Sequence, residues 1–504
     1  MSGLRRSFTA IKSDIKPKIF LFHPHSPNRN ISPPLNLALI GAVLIECGCE
    51  VRAIDASAVH MDNWYEKAKR SVEEFRPDAI GISLHISDIH ITYRTIKELF
   101  VPLNVAIIAG GAHATLLPEE ALENGVDIVV RGEGEFIVKE LVKWLKGEKE
   151  LSEIRGISYV TENGYVQHNP NTPLVEDLDS LPLPAHELFS ENYYFTTESE
   201  KNRAGKILSS RGCPNKCTFC ANSVFGRKFR YRSPSSILME MEKLRSLYGV
   251  EHFEFIDDAF TANRKRLLEL CGELRKVKWA TFSCVARLEN LDDETVPAMR
   301  AGGCELVNIG VESARKESLK RIKKNINLDK LLPTLELLKK NGIKAALFFM
   351  FGFPWETAEE MRETNRFIEK LKPLVYWFSE GGVVTPYPGT ELYEEYHLSV
   401  GFTKWWLTLW QPPCAEKLHP LQPYYFFPYD EEKKQIIREA LNMIFEHNRK
   451  DSIALERAHG EIEWLKRIIA DLEKEIRARD TELRKLWEKS LLEKLRKFLR
   501  EFSK

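Results

Sequence analysis

The sequence predicts an α/β protein: a doubly wound, Rossmann-like parallel sheet, then a partial (β/α)6 barrel, then an aromatic-rich α region and a C-terminal coiled coil. Three observations predict it. Apolar strand-like runs alternate with helical patterns in residues 1–165 and again in 201–395, the signature of parallel sheets covered by helices. A connector rich in proline and acidic residues, 166–200, separates the two series. Beyond an aromatic-rich cap at 396–450, residues 451–504 step their apolar positions by threes and fours, as a coiled-coil seam does.

The chain has 504 residues, enough for two or three domains with complete cores. Lys plus Arg (73) equals Asp plus Glu (73), so no overall field favours nucleic acid. The N-terminus is charged and lacks the apolar stretch of a secretory signal, and no apolar run approaches the ~20 residues of a membrane span. Nine cysteines show no disulfide-framework spacing, so a reducing cytoplasm is expected.

In the first series the strands read Lys18–Phe22, Glu50–Ile54, Asp78–Leu84, Val105–Ala109 and Asp127–Val130. The helices between them read Asn36–Glu46, Asn63–Phe75, Asp88–Phe100 and Glu119–Asn124. Ligands on such sheets bind beyond the carboxyl ends of the strands, which here carry Pro24–Pro34, Ser83–Ser87, Gly110–Thr115 and Arg131–Glu135. Gly110-Gly111 leaves room for a bulky group to approach the backbone. No G-x-G-x-x-G follows the first strand, which weakens a plain dinucleotide reading.

The second series has strands at Lys206–Ser209, His252–Ile256, Ala280–Val285, Glu305–Val311, Lys344–Phe351 and Val375–Thr385. Its helices are Ser235–Tyr248, Arg264–Lys276, Asp292–Ala301, Asp329–Asn341 and Ala358–Leu371. Six such units predict an incomplete barrel with its chemistry at the carboxyl ends of the strands. Just after the first strand stand Cys213, Cys217 and Cys220, spaced C-x3-C-x2-C. Thiolates suit iron–sulfur clusters, and three ligands on a four-iron cluster leave one iron open to a small molecule. Zinc is the alternative, but structural zinc usually takes four ligands from paired knuckles, and no second knuckle follows. Asp257-Asp258, Ser283, Arg287, Glu312, Gly352 and Pro354 lie at or beyond later strand ends. Cys304 reads as buried packing, and Cys414 as a loop thiol that could take part in radical chemistry.

Residues Gly401–Tyr429 are dense in aromatics and read as a lid over the barrel that could form part of a substrate pocket. Leu455, Ala458, Ile462, Leu465, Ile469, Leu472 and Ile476 begin the heptad seam, either a coiled coil for oligomerisation or docking or a long helix folded back on the body. Ser490–Lys504 is short, basic and amphipathic; it could rest on an anionic membrane or extend an oligomer contact.

The cysteine run Arg211-Gly212-Cys213-Pro214-Asn215-Lys216-Cys217-Thr218-Phe219-Cys220 resembles the signature of the radical S-adenosylmethionine (SAM) enzymes. Pro33-Pro34-Leu35-Asn36-Leu37, Gly110-Gly111-Ala112-His113-Ala114-Thr115, Pro118-Glu119-Glu120 and Arg131-Gly132-Glu133-Gly134-Glu135 resemble the cobalamin-binding domain that precedes many of them. The resemblance implies a 4Fe-4S cluster on the three cysteines, SAM on its open iron, and cleavage of SAM to methionine and a 5′-deoxyadenosyl radical. It places Phe219 in the aromatic position before the third cysteine and implies that Asp257 and Asp258 receive the SAM amino group; helix N-terminal acids before Asn263 are the alternative. Arg287 would pair with the SAM carboxylate, or make a surface ion pair, and Ser283 lies beside it. Glu312, in Gly310-Val311-Glu312-Ser313, would meet SAM polar groups or ribose. Gly352 and Pro354, in Gly352-Phe353-Pro354-Trp355-Glu356-Thr357, would flank the adenine, and Pro386-Tyr387-Pro388-Gly389-Thr390 matches a further family stretch.

Cobalamin would meet Pro34, Ser83, His85, Gly110, Gly111, His113 and Glu133. The D-x-H-x-x-G motif of wider cobalamin proteins is missing from His23-Pro24-His25-Ser26-Pro27-Asn28, so the lower cobalt face is expected to lack its usual histidine. His85 and His113 are either corrin neighbours or hydrogen-bonded strand-end histidines. The resemblance implies C-methylation of an unactivated carbon, with radical cyclisation or ring rearrangement as a non-methylating alternative and a non-catalytic coiled-coil scaffold as another class. Methylthiotransfer would need an N-terminal cysteine set, and that half has only Cys47 and Cys49. The partners implied are a reductant protein such as ferredoxin or flavodoxin and a small-molecule, lipid or lipid-linked glycan substrate. A homo-oligomer through the coiled coil and contact with the inner face of the membrane are further expectations; nucleic acid is not expected.

Overall fold

In the first sheet, β1 (Lys18–His23), β2 (Glu50–Asp55), β3 (Ala79–Ser83), β4 (Ala106–Gly110) and β5 (Ile128–Val130) are parallel and ordered β2-β1-β3-β4-β5. The structure, a computed structural model, describes residues 11, 15–26, 33–58, 63–189, 204–222, 224–379, 382–407 and 426–449. The strand order reverses between β1 and β3, and the loops leaving those strands diverge there to open a crevice. β6 (Ile157–Val160) and β7 (Val166–His168) extend the sheet as an antiparallel hairpin that the sequence reading omits. All three residues of β7 are exposed, so no apolar alternation announces it.

Helices α1 (Leu35–Glu46), α2 (Trp64–Phe75), α3 (Ile89–Thr95), α4 (Ala112–Leu116), α5 (Pro118–Glu123) and α6 (Glu135–Leu145) belong to this unit. The reading of a helix over Asp88–Phe100 is met by α3 with a π-helical continuation, Ile96–Phe100. The sequence reading also passes over α6, although Ile137, Val138, Leu141, Val142 and Leu145 form the buried stripe of a helix.

The second sheet holds β8 (Ala204–Ile207), β11 (His252–Phe255), β12 (Thr281–Ala286), β13 (Cys304–Glu312), β14 (Lys344–Phe349) and β15 (Trp377–Phe378), parallel and in chain order. A small antiparallel pair, β9 (Ser210–Arg211) with β10 (Arg230–Tyr231), carries the cysteine loop between its strands. The last strand is far shorter than the predicted 375–385. Val383 makes one isolated bridge to Phe351, and Pro386 and Pro388 beyond it have no N–H to donate.

Helices α7 (Pro234–Tyr248), α8 (Arg264–Val277), α9 (Thr295–Ala301), α10 (Lys316–Arg321), α11 (Leu331–Lys340) and α12 (Ala358–Leu371) follow strands of this sheet. Local chemistry sets their ends. Ser233 and Thr357 accept backbone N–H bonds as N-caps, and Gly249 closes α7 in the left-handed conformation. Then come α13 (Glu391–Val400) and α14 (Glu431–Arg449).

One contiguous apolar core links the two sheets, from Phe20, Phe22 and Phe100 through Phe253, Phe282 and Phe349 to Ile444. In the cap, Phe402, Trp405, Phe426 and Phe427 pack edge to face, with centroids 4.8–6.1 Å apart, as the lid reading expects. Cys414 and the coiled coil read over 451–504 lie outside the described residues.

Candidate cofactor-binding site

The cysteine loop leaves β9 through Gly212 (φ +83°), where a Cβ would lie 2.3 Å from the Lys228 carbonyl oxygen, so only glycine fits. Backbone bonds hold the loop: Cys213 N to Gly226 O (3.3 Å), Cys220 N to Cys217 O (3.2 Å), Thr218 N to Ile322 O (3.0 Å) and Leu392 N to Thr218 O (3.0 Å). Asn215 Nδ2 donates to Cys213 Sγ at 3.2 Å, and Phe219 packs against the core. Among the described residues, no three ligand side chains converge on a point for one metal ion. A 4Fe-4S cluster would instead take each thiolate on a separate iron. Burial raises the thiols of Cys217 and Cys220, the latter to about 11; Lys324 and Arg287 oppose the rise at Cys217.

The two aspartates at the end of β11 do not act as a pair. Asp257 is buried and committed to Ser209 N (2.6 Å), Ser209 Oγ (2.5 Å) and Ser210 Oγ (2.7 Å), with Arg266 at 3.7 Å. These bonds give Asp257 a structural role in joining Ser209, Ser210 and Arg266. Asp258 alone keeps an exposed carboxyl, raised by burial and by Asp257 and steadied by the Gly212 amide. Its charge is felt at Cys220.

Ser283 is buried on β12. Arg287 reaches the Lys324 carbonyl (2.6 Å) at the rim of the cysteine loop. Glu312 sits at a bulge between β13 and β14 with φ +70°, rare for a side-chain-bearing residue. It pairs with Lys324 Nζ at 2.7 Å. Lys324 is missing from the sequence reading because Arg321-Ile322-Lys323-Lys324 looks like an ordinary charged surface run.

Gly352 adopts φ +83°. Its missing side chain makes room for Tyr429, whose Oη would lie 2.6 Å from a Cβ there and donates to the Gly352 carbonyl. That face of the glycine is therefore closed by the cap. Pro354 is half-buried between Phe353 and Trp355, whose rings stack at 5.0 Å. Glu356 is buried beneath the hydroxyls of Ser313 (3.2 Å) and Ser318 (2.6 Å), and burial raises its carboxyl.

On the first sheet, Pro34 is buried at the start of α1, Asn36 Nδ2 donates to Ser83 Oγ (2.6 Å), and that oxygen lies 3.2 Å from His85 Nε2. Gly110 pairs in register with Ser83. Gly111 (φ +99°) faces the same point, and a Cβ on it would lie 3.1 Å from Leu84 O and 3.3 Å from Ser83 Oγ. His23, bonded to Asp55 at 2.7 Å, places its ring 5.7 Å from that of His85. His113 is buried with Nε2 against Glu120 (2.9 Å), which also accepts Tyr93 Oη (3.2 Å) and Trp406 Nε1 (3.0 Å); His113 Nδ1 has no partner. A buried imidazole nitrogen without a partner and an accessible ring deep in protein fit a large cofactor with amide donors at its edge. Glu133 does not share these contacts. Both its oxygens are taken by Arg211, Arg230 and the Val175 amide.

His85 has an exposed ring surface, yet it lies deep in protein, and burial, aided by His23 and His113, pushes it down to about 4. Burial and Arg94 push His90 to about 4 as well. Both would protonate near 6.5 when unfolded. Between about 6.5 and about 4 the unfolded chain therefore binds more protons, and stability falls as pH falls through that window. The urea midpoint is expected to be lower at pH 5 than at pH 7, with a smaller difference in a His85→Gln/His90→Gln double variant. Equal midpoints in the unmodified protein would refute this.

The fold and site define a class: a nucleotide-type parallel sheet joined to an open α/β barrel with a three-thiol loop at its first strand. Family models agree, with the B12 binding domain matching residues 29–142 and the Radical SAM superfamily residues 207–368. The uncharacterized methyltransferase PH0819 of Pyrococcus horikoshii is 34% identical over 370 residues, covering 72% of this chain and 78% of that one. The anaerobic magnesium-protoporphyrin IX monomethyl ester cyclase of Rubrivivax gelatinosus is 28% identical over 396 residues, covering 75% and 70%. The radical SAM methyltransferase TsrM of Kitasatospora setae, solved with cobalamin and a 4Fe-4S cluster, shares the fold at TM-score 0.66 and 20% identity, covering 80% of each chain. The chain belongs to the cobalamin-binding radical SAM methyltransferase family.

Proposed function

We propose that this chain methylates an unactivated carbon of a small molecule, using a 4Fe-4S cluster, SAM and cobalamin. The three groups together supply a one-electron route to a carbon that is not nucleophilic enough for polar methyl transfer. Cys213, Cys217 and Cys220 would hold the cluster. Asp258 offers a carboxylate for the SAM ammonium, and Arg287 and Lys324 offer cations for its carboxylate. Glu312 holds Lys324 in place and is itself within reach of the same space. Pro34, Ser83, His85, Gly110, Gly111 and His113 would line the corrinoid slot. The aromatic cap would exclude water from the space between.

The observation that carries the reading is that the thiol loop and the strand ends at Ser83 and Gly111 belong to one packed body with a shared core. A reductant protein such as ferredoxin or flavodoxin suits the cluster, and a cytoplasmic setting suits its oxygen sensitivity. A lipid or lipid-linked glycan substrate, held at a membrane surface, is supported by the amphipathic pattern of Ser490–Lys504, and self-association by the heptad seam before it.

The test is anaerobic purification with hydroxocobalamin, reduction, addition of SAM and mass spectrometry against candidate substrates. Bound corrinoid, 5′-deoxyadenosine and a product heavier by one methylene unit are expected. The cyclase relative favours a second reading, radical cyclisation, and a product without added methylene would establish that instead. Failure to bind a corrinoid or to cleave SAM would defeat both.

A further inference from the structure

The Arg131-Gly132-Glu133-Gly134-Glu135 run lies at the carboxyl end of β5, an interior strand of the first sheet, yet its two glutamates serve the other unit. Arg211 donates Nη1 to Glu133 (2.8 Å) and Nη2 to Glu135 (2.6 Å). Arg230 donates to both oxygens of Glu133 (2.8 and 2.9 Å) and to the Val175 carbonyl (2.6 Å). All four charged side chains are 7% exposed or less. Arg211 and Arg230 face each other across β9 and β10, and Arg211 stands two residues before Cys213.

A buried network of this kind gains little net stability over apolar packing, because desolvation offsets much of the attraction. What it does supply is direction. A planar guanidinium with its two ends on two different carboxylates fixes distance and angle together. Here the carboxylates belong to the loop after β5 and the start of α6, and the guanidinium to the strand that leads into the thiol loop.

We infer that Glu133, Glu135, Arg211 and Arg230 form a positioning clamp that seats the thiol loop against the first sheet and so sets the separation of the two cofactor sites. The clamp itself is independent of the proposed function; its consequence for the cofactors rests on that reading.

Two full-length variants test it. Arg211→Lys keeps the charge but has one nitrogen and cannot bridge both glutamates; Glu135→Gln keeps the shape but removes one charge. Each protein is reconstituted anaerobically with iron, sulfide and hydroxocobalamin and reduced until both centres are paramagnetic. The relaxation enhancement of the cobalt EPR signal by the cluster is then measured. The unmodified enzyme should give one well-defined enhancement. Both variants should lose it to a broad, weaker distribution, with iron and cobalt content and each centre's own spectrum unchanged. Identical enhancement in all three proteins overturns the clamp, as does loss of cobalt from Glu135→Gln alone, which would place that glutamate in the corrinoid slot. Calorimetry of the same chains without cofactors separates this from the functional reading. The unmodified chain should unfold in one transition and Arg211→Lys in two. Should the unmodified chain bind no corrinoid, the functional proposal fails, and a single unchanged transition in Arg211→Lys would then overturn the clamp as well.

Discussion

Cys217→Ala is expected to abolish 5′-deoxyadenosine formation while corrinoid uptake stays close to that of the unmodified protein. The thiol is half-buried, and its loop is tied by the backbone bonds of Thr218 to Ile322 and Leu392. The chain should therefore fold much as before. Two thiolates remain, too few to anchor a cube by three corners, so the cluster's EPR signal and most of its iron should be lost. Among the described residues, the hydrogen bonds of Ser83, His85 and His113 go to their own unit rather than to this loop, so cobalt content should hold. Iron analysis, EPR and chromatography of the SAM products check each part. Sustained deoxyadenosine formation would remove Cys217 from the cluster. Loss of cobalt along with iron would show that corrinoid uptake needs the barrel.

The second large effect separates two adjacent aspartates. Asp257→Ala is expected to cost about 3–5 kcal/mol, because it leaves a buried arginine without its carboxylate. Arg266 is 1% exposed; its side chain also donates to the Phe260 carbonyl (3.0 Å) and the Ser209 hydroxyl, and its guanidinium lies over the Phe260 ring at 4.9 Å. Removing Asp257 also strips the buried Ser209 amide of its acceptor. Burial already pulls the guanidinium below its usual range, and Asp257 is the first group that opposes this. Asp258→Ala, on an exposed side chain, should change stability by about 0.5 kcal/mol or less and instead weaken SAM binding. Urea midpoints and SAM titration by calorimetry distinguish the pair. Equal midpoints would show that Arg266 finds another partner, and unchanged SAM affinity in Asp258→Ala would take that carboxylate out of the site.

These two aspartates show where sequence reading stops. Asp257-Asp258 is visible as a pair at a strand end, but which member turns inward depends on Ser209, Ser210 and Arg266, and the two serines lie on another strand end 47 and 48 residues away. Glu133 reads as part of a cofactor motif because its run resembles one in the cobalamin-binding domain. Its actual partners, Arg211 and Arg230, lie 78 and 97 residues further on. Gly352 carried a true glycine signal, yet the group that needs the space is Tyr429, brought over by the cap. The link from Trp406 to Glu120, across 286 residues, leaves no local trace at all.

By itself the sequence determined the two series of parallel strands, the thiol triplet and the glycine turns at the strand ends. Each follows from chemistry that acts over a few residues: apolar period, ligand spacing and the steric freedom of glycine. Only the tertiary structure decided which acids stay exposed, which are spent on buried arginines, and how the cap reaches both units. Those choices belong to charges and hydroxyls that must find partners once water is excluded, and the partners come from distant parts of the chain.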